Sequence, residues 1–196
     1  DGQNGFLHNS ALDSRADLMN EAGGRLRFVF TPDRRLTVSL TADYQHVSQD
    51  AFAYGVFNPE TGVTSDPSSN FLNHYRRDMF TTGVGLKYDG GNFLLNSTTS
   101  YQYLRDEILM DQDYTAADYM RLLQSQINNA VTEELTIKSR KRDFWNWLFG
   151  ATASYQWLHT DGPVYFGDAM TSNIARGIRA SIYKGNQNGK INYGHP

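Results

Sequence analysis

The sequence has 196 residues, in which 18 Lys and Arg stand against 21 Asp and Glu, so its net charge at pH 7 is -3. This mildly acidic balance gives no electrostatic reason to expect a nucleic-acid partner, and the absence of cysteine excludes disulfides and cysteine metal sites. The mean hydropathy of -0.57 and the lack of a long apolar run exclude a transmembrane helix. They do not exclude membrane-spanning strands, which are apolar only at alternate positions.

The first predicted hairpin follows a polar segment that extends to residue 21. Residues 23–31 and 36–47 both alternate between apolar and polar side chains, as half-exposed β-strands do. Pro32 and Asp33 lie between them and favour a tight turn, because proline presets the backbone angle of a turn's second residue. We therefore predict two antiparallel strands joined by a short connection.

Two further hairpins follow, each with a short turn, and long connections separate one hairpin from the next. The remaining predicted strands are 78–88, 93–103, 130–139 and 144–159, and the predicted long loops are 48–76, 104–129 and 160–196. In the second of these loops Thr115 and Asp118 match a capping box, which predicts a short helix over residues 120–126.

The order of the elements predicts an all-β fold: an antiparallel up-and-down meander of about six long strands, with a short helix in one long loop. Strict alternation of short turns and long loops is typical of a large transmembrane β-barrel, whose short turns are periplasmic and whose long loops are extracellular. Six strands cannot close a channel-sized barrel, so we expect residues 1–196 to be one section of a barrel domain in a longer protein.

Aromatic side chains gather near both ends of the predicted strands, as in the girdles at the two membrane interfaces. They are Phe30, Tyr88, Phe93, Trp145 and Trp147 at the short-turn end, and Tyr44, Tyr101, Tyr103, Tyr155 and Trp157 at the long-loop end.

Three segments resemble the TonB-dependent outer-membrane receptors. The resemblance is carried by VTEELTIKS followed by WNWLFGATASYQW, by GGRLRFVFTPDRRLTVSLTADY, and by LLNSTTSYQY, in matching order over roughly residues 18–160. It implies a barrel of about 22 strands occluded by an N-terminal plug. It also implies import of scarce cargo (ferric siderophore, haem, cobalamin or oligosaccharide) with energy passed on by TonB.

The predicted function is therefore energy-coupled nutrient transport as part of such a receptor in the bacterial cell outer membrane. The expected partners are outer-membrane lipid, the missing plug and remaining barrel strands, TonB through the missing N-terminal part, and the cargo. No cofactor and no enzymatic activity are expected, because no nucleophile, phosphate loop or paired carboxylates stand out. The alternatives are a soluble or surface β-sandwich that binds a glycan or a protein, and a passive porin.

Two sets of side chains are candidates for ligand contact. The polar positions of the strands are expected to face the barrel lumen, where they contact a plug or passing cargo, or simply hydrate the wall: Arg25, Arg27, Asp43, Lys87, Glu134 and Lys138. The loop aromatics are expected either to bind cargo or to pack the loops together: Phe52, Tyr54, Phe57, Tyr114 and Tyr119.

A metal site is not expected. Asp111, Asp113 and Asp118 share one loop, but the sequence lacks the downstream glycine and bidentate glutamate of a calcium-binding loop. The five histidines, including His46 and His159 at strand ends, show no metal-binding spacing.

Overall fold

Six long strands form the body of the protein in a computed structural model, which describes residues 2–140 and 145–184. They are β1 (Met19–Phe30), β2 (Leu36–Asp50), β3 (His74–Asp89), β4 (Phe93–Asp111), β5 (Met120–Ser139) and β6 (Leu148–Asp161). Each pairs antiparallel with the next in chain order, so the predicted meander is confirmed. Most of the short turn predicted between strands 130–139 and 144–159 and the end of the predicted loop 160–196 lie outside the described residues.

Shorter elements extend the sheet at its long-loop end. Gly2–Gln3 pairs with β1, and Val164–Phe166 pairs with the start of β5. Two small hairpins stand apart from the main sheet, one of His8–Asn9 with Ser14–Arg15 and one of Phe57–Asn58 with Val63–Thr64. The helix α1 (Asp168–Lys184) follows.

The helix predicted at 120–126 is wrong. Those residues open β5, which pairs with β4 in an unbroken antiparallel ladder from Arg121 opposite Asp111 to Ser139 opposite Phe93. The connection predicted at 104–129 therefore shrinks to residues 112–119. The segment from 160 onward is also not a loop alone, since it contains Val164–Phe166 and α1.

Short turns at one end of the sheet owe their shape to aspartates. The Asp33 carboxylate accepts hydrogen bonds from the backbone N–H groups of Arg35 and Leu36, at 2.6 and 2.9 Å. Asp89 accepts one from the N–H of Gly91 at 2.9 Å, and Gly91 has a φ of 83°, which glycine adopts without steric cost. The two turns are joined because the Asp89 N–H donates to the Arg35 carbonyl at 2.8 Å.

The sheet is a single layer without a hydrophobic core. Among the described residues the buried apolar side chains are Ala16, Val47 and Pro67, while Phe28 is 62% and Tyr155 is 69% exposed. Because side chains alternate along each strand, the register divides the sheet into two faces. One row of the first face, for example, contains Phe28, Leu40 and Val84.

We refer to this face as the apolar face. The other, polar face carries mainly Thr, Ser, Gly, Asn and charged side chains. None of the helices in the described part of the chain is long and apolar enough to span a membrane.

Candidate functional site

The six polar strand positions singled out from the sequence share the polar face. Arg25 lies opposite Asp43, and its Nε donates to the carboxylate at 3.0 Å. Lys87 lies opposite Asn96, which in turn lies opposite Thr136, the residue on the same face between Glu134 and Lys138. Arg27 follows Arg25 two positions along β1. That this face lines a lumen remains a prediction.

A shallow concavity of about 450 Å³ lies on this face. Arg25, Asp43 and Lys87 line its rim, and Gly83 and Gly85 leave its floor without side chains. Ser39 and Thr41 lie across from those glycines, so hydroxyl groups and charged groups line the concavity.

Nearer the long-loop end, the polar face carries a chain of polar groups across four strands. Gln45 donates to the Glu21 carboxylate and accepts a hydrogen bond from Arg77 at 2.9 Å. Asp106 lies opposite Arg77; burial raises the pKa of Asp106, and the Arg77 charge partly offsets that rise. Arg77 and Asp106 lie just outside the predicted strands 78–88 and 93–103. The sequence pattern therefore did not identify them as strand residues.

The apolar face ends at about the same height along the strands as this chain of polar groups. The Tyr44 hydroxyl donates to the Asp78 carboxylate at 2.7 Å, and His46 Nδ1 lies 2.8 Å from the same oxygen. Asp78 lies opposite Arg105 on β4. From this row onward β3 and β4 carry charged side chains on this face, such as Arg76 and Glu107, so Tyr44 separates an apolar band from a more polar rim.

Three of the five loop aromatics form a cluster. The rings of Tyr54 and Tyr114 meet edge to face with centroids 5.2 Å apart, and Phe52 lies 6.4 Å from Tyr54. Phe57 projects from its small hairpin and is 59% exposed. Tyr119 lies in a turn, where its carbonyl accepts a hydrogen bond from the N–H of Gly167 at 2.8 Å. We call Phe52, Tyr54 and Tyr114 the aromatic cluster.

Backbone strain coincides with this cluster. Phe52 has a φ of 58° and Tyr114 a φ of 55°, a region that bulky residues rarely adopt. Such conformations cost on the order of 1–3 kcal/mol each and persist only when the surroundings enforce them. The surrounding structure therefore holds the backbone of two bulky residues in a conformation that these residues would rarely adopt alone.

A buried polar network is hydrogen-bonded to the backbone next to the aromatic cluster and supports its conformation. The Asn73 side-chain carbonyl accepts a hydrogen bond from the Asp111 N–H at 2.7 Å, and its amide donates to the Phe52 carbonyl at 3.3 Å. The same amide also lies 3.3 Å from the hydroxyl of Ser69, whose carbonyl accepts from the Asn9 amide at 2.9 Å. Asn9, Ser69, Asn73 and Asp111 are the buried polar residues of the described chain.

Asp111 and its neighbours shape a turn. One Asp111 oxygen accepts from the Asp113 N–H at 3.0 Å, while the other is buried without a protein partner. Burial raises the pKa of Asp111, and the Asp113 charge adds to that rise. Asp113 accepts hydrogen bonds from the N–H groups of Thr115 and Met120. Within residues 2–140 and 145–184, no three His, Asp or Glu side chains converge as metal ligands would.

The end of the described chain also packs against this region. The Arg121 guanidinium lies 5.7 Å from the ring of Phe71 and 5.9 Å from the ring of Tyr165, so it joins the 51–73 connection to the strand Val164–Phe166. The Ala169 N–H at the start of α1 donates to the Asp118 carbonyl at 3.0 Å.

Comparisons with known proteins agree with this architecture. The crystal structure of the ferric yersiniabactin uptake receptor FyuA from Yersinia pestis matches with a TM-score of 0.68 and 15% sequence identity, over 85% of this chain and 26% of the receptor. The sheet has the fold of a section of that receptor. The chain spans about a quarter of the receptor's length. No protein-family model and no curated protein matches the sequence.

Proposed function

We propose that this chain forms part of the barrel of a TonB-dependent outer-membrane receptor that imports a scarce nutrient by energy-coupled transport. One observation carries the proposal: a single-layer sheet with one apolar and one polar face, which buries almost no apolar side chain of its own. Such a sheet needs a non-aqueous solvent on one side only, which is the situation of a barrel wall in a bilayer.

In this proposal the apolar face contacts outer-membrane lipid and the polar face lines the lumen. The strands of 14–20 residues from β2 to β6 exceed the roughly 9–11 needed to span the hydrocarbon layer. Their long-loop ends therefore project outside the cell. The other barrel strands pair with the edges β1 and β6, because unpaired strand edges are not viable in lipid.

Cargo capture is assigned to the aromatic cluster. The buried network holds its backbone at the Phe52 carbonyl, its rings contact one another, and rigid aromatic side chains are favoured at binding hot spots. Arg25, Arg27, Asp43, Lys87, Glu134 and Lys138 then contact the plug or the passing cargo. The function is binding and gated passage without covalent chemistry, with the plug and TonB supplying the gate and its energy.

The cargo classes are ferric siderophore, haem, cobalamin and oligosaccharide. Ferric siderophore is the first to test, because the structurally similar receptor is named for the uptake of ferric yersiniabactin. A β-sandwich binding module is disfavoured, since it requires a second layer against one of these faces. A passive porin has the same wall, and only dependence on TonB separates it from the receptor.

The test is uptake of a panel of labelled cargoes by cells that express the full-length protein, with and without functional TonB. We expect one cargo to be imported only with TonB. Tyr114→Ala is expected to weaken its binding by about tenfold or more. Phe57→Ala, outside the aromatic cluster, is the matched control and is expected to have a smaller effect. Uptake that is independent of TonB would favour the porin instead.

A further inference from the structure

One charged side chain lies in the middle of the apolar band. Glu133 follows Val131 and precedes Leu135 on the apolar face of β5, and it lies opposite Thr99 of β4 and Ala153 of β6. The band extends from the row of Leu36 and Tyr88 to the row of Tyr44 and Phe80. Within it, Glu133 is the one charged side chain among the described residues of this face.

The neighbouring strand holds this carboxylate in place. The Ser97 hydroxyl donates to one carboxylate oxygen at 2.6 Å, and the Thr99 hydroxyl donates to the other. Donors on both oxygens suit an ionised carboxylate better than a neutral acid, which must itself donate a proton. The site is therefore built to hold negative charge.

Negative charge at this depth requires compensation if the band lies in lipid, as the proposed function states. A charged group in hydrocarbon is costly, and intramembrane ionisable residues generally pair with a partner. The described part of this face offers no Lys or Arg within the band, so the six described strands supply no countercharge.

The surface around Glu133 allows another chain to approach closely. On β6 the neighbouring side chains of this face are Ala151 and Ala153, and on β4 they are Ser97 and Thr99. These side chains are smaller than Leu135 and Val131, which flank Glu133 on its own strand. Membrane proteins favour small and polar residues where spanning segments pack together.

From this arrangement we propose that Glu133 marks a docking site for a membrane-spanning segment of a partner protein that presents a Lys or Arg side chain at the same depth. Charge complementarity selects this occupant. A second copy of this chain related by a two-fold axis along the membrane normal would bring Glu133 against an equally anionic face. Lipid tails would leave the carboxylate without a countercharge.

The test uses the complete polypeptide in phosphatidylcholine vesicles and a designed peptide as the probe. The peptide is a Leu/Ala helix of about 20 residues with one central Lys, and its control has Leu at that position. These 196 residues contain no cysteine, so with any cysteine elsewhere in the polypeptide replaced by Ser, Arg34→Cys provides a single labelling site for energy transfer from a labelled peptide. We expect the Lys peptide to associate about 3- to 20-fold more tightly than the Leu peptide.

Two variants decide where such association occurs. Glu133→Gln should remove the preference for the Lys peptide, whereas Glu134→Gln, one position along on the polar face, should keep it. Equal association of both peptides, or an undiminished preference in Glu133→Gln, would overturn the inference. Energy transfer between two labelled copies of the chain that is lost in Glu133→Gln would assign the site to self-association and would also overturn it.

A separate measurement distinguishes failure of this inference from failure of the proposed function. A fluorophore on Val84→Cys reports whether the apolar band lies in hydrocarbon, through quenching by labelled acyl chains. Quenching without a preference for the Lys peptide rejects the docking site alone. Absence of quenching rejects the membrane wall, and the docking site with it.

Discussion

The apolar band and the long-loop end of the sheet differ in how their side chains are stabilised. In the band, rings and aliphatic side chains such as Phe28 and Leu40 point away from a single layer and remain largely exposed. At the long-loop end, Asn9, Ser69, Asn73 and Asp111 are buried in a network that joins three separate segments. The band depends on its surroundings, whereas the loop end is organised by its own hydrogen bonds.

This difference assigns separate tasks to the two regions. A surface that only an external apolar medium can cover is suited to anchoring, and its regular rows need no special backbone conformation. The loop end instead holds Phe52 and Tyr114 at positive φ. These backbone conformations persist only if the surrounding structure is rigid. A binding surface requires the same rigidity.

A charge placed in the band should have the largest effect. Leu40→Arg puts a cation on the apolar face, and we expect it to lower the free energy of unfolding in lipid vesicles by about 2–4 kcal/mol. Thr41→Arg is the matched control on the polar face and should change it far less. The free energy of unfolding is measured by chemical denaturation. If both variants lower it equally, the two faces do not differ in their surroundings and the account is contradicted.

Removing the centre of the buried network should have the next largest effect. Asn73→Ala leaves the Asp111 N–H and the Phe52 carbonyl without their partner, at a local cost of about 1–3 kcal/mol. Hydrogen exchange should accelerate by roughly 5- to 150-fold in residues 51–73 and 112–119, since 1.4 kcal/mol corresponds to tenfold. Asn58→Ala, whose side-chain hydrogen bonds stay within its own turn, should accelerate exchange in that turn alone and leave residues 112–119 protected.

The aromatic cluster should contribute a smaller coupling. A double-mutant cycle with Tyr54→Ala and Tyr114→Ala is expected to give an interaction energy of about 0.5–1.5 kcal/mol for the edge-to-face pair. Replacing the second member by Tyr119→Ala should give a coupling near zero, because the rings that contact Tyr54 are those of Phe52 and Tyr114. A coupling as large for Tyr119 would mean that the cluster is not a discrete unit.

The smallest effect expected is a pH dependence of the loop end. Burial raises the pKa of Asp111 above the ordinary value of 3.8, so the folded loop binds its proton more tightly than the unfolded loop does. Its stability therefore falls as pH rises from 3.8 to the raised pKa and levels off above it. Asp111→Asn should remove this slope in hydrogen exchange, and Asp113→Asn should reduce it, because the Asp113 charge contributes to the rise in the pKa of Asp111.

Alternation along the chain was sufficient to predict the six strands and both faces. Leu36, Val38 and Leu40 lie on one face and Thr37 and Ser39 on the other, because strand geometry reverses the side-chain direction at each residue. The short turns were predictable for a similar reason, since Asp33 and Asp89 act on backbone groups only two or three residues away.

The helix predicted at 120–126 failed because the capping box and a simple turn share the same residues. Thr115 accepts from the N–H of Ala117, two residues on, and so closes a local turn where a helix cap was predicted. Beyond it, pairing with β4 over the whole length of β5 outweighs the local helix preference.

The candidate site was predictable in its parts but not in its assembly. Loop aromatics were identified by type, yet their grouping depends on hydrogen bonds between residues far apart in sequence, such as Asn9 with Ser69 and Asn73 with Asp111. Nothing local distinguishes those asparagines from others in loops. Glu133 was missed for a different reason: two adjacent glutamates must lie on opposite faces of a strand, and Glu134 already satisfied the expected polar position.

The most direct test of the membrane wall is a cysteine scan of β2 from Leu36 to Tyr44 in lipid vesicles, with a fluorophore at each position in turn. We predict quenching by labelled acyl chains at 36, 38, 40, 42 and 44 and by an aqueous quencher at 37, 39, 41 and 43, following the register of the strand. Aqueous quenching at every position, or protection of both faces from both quenchers, would contradict the account.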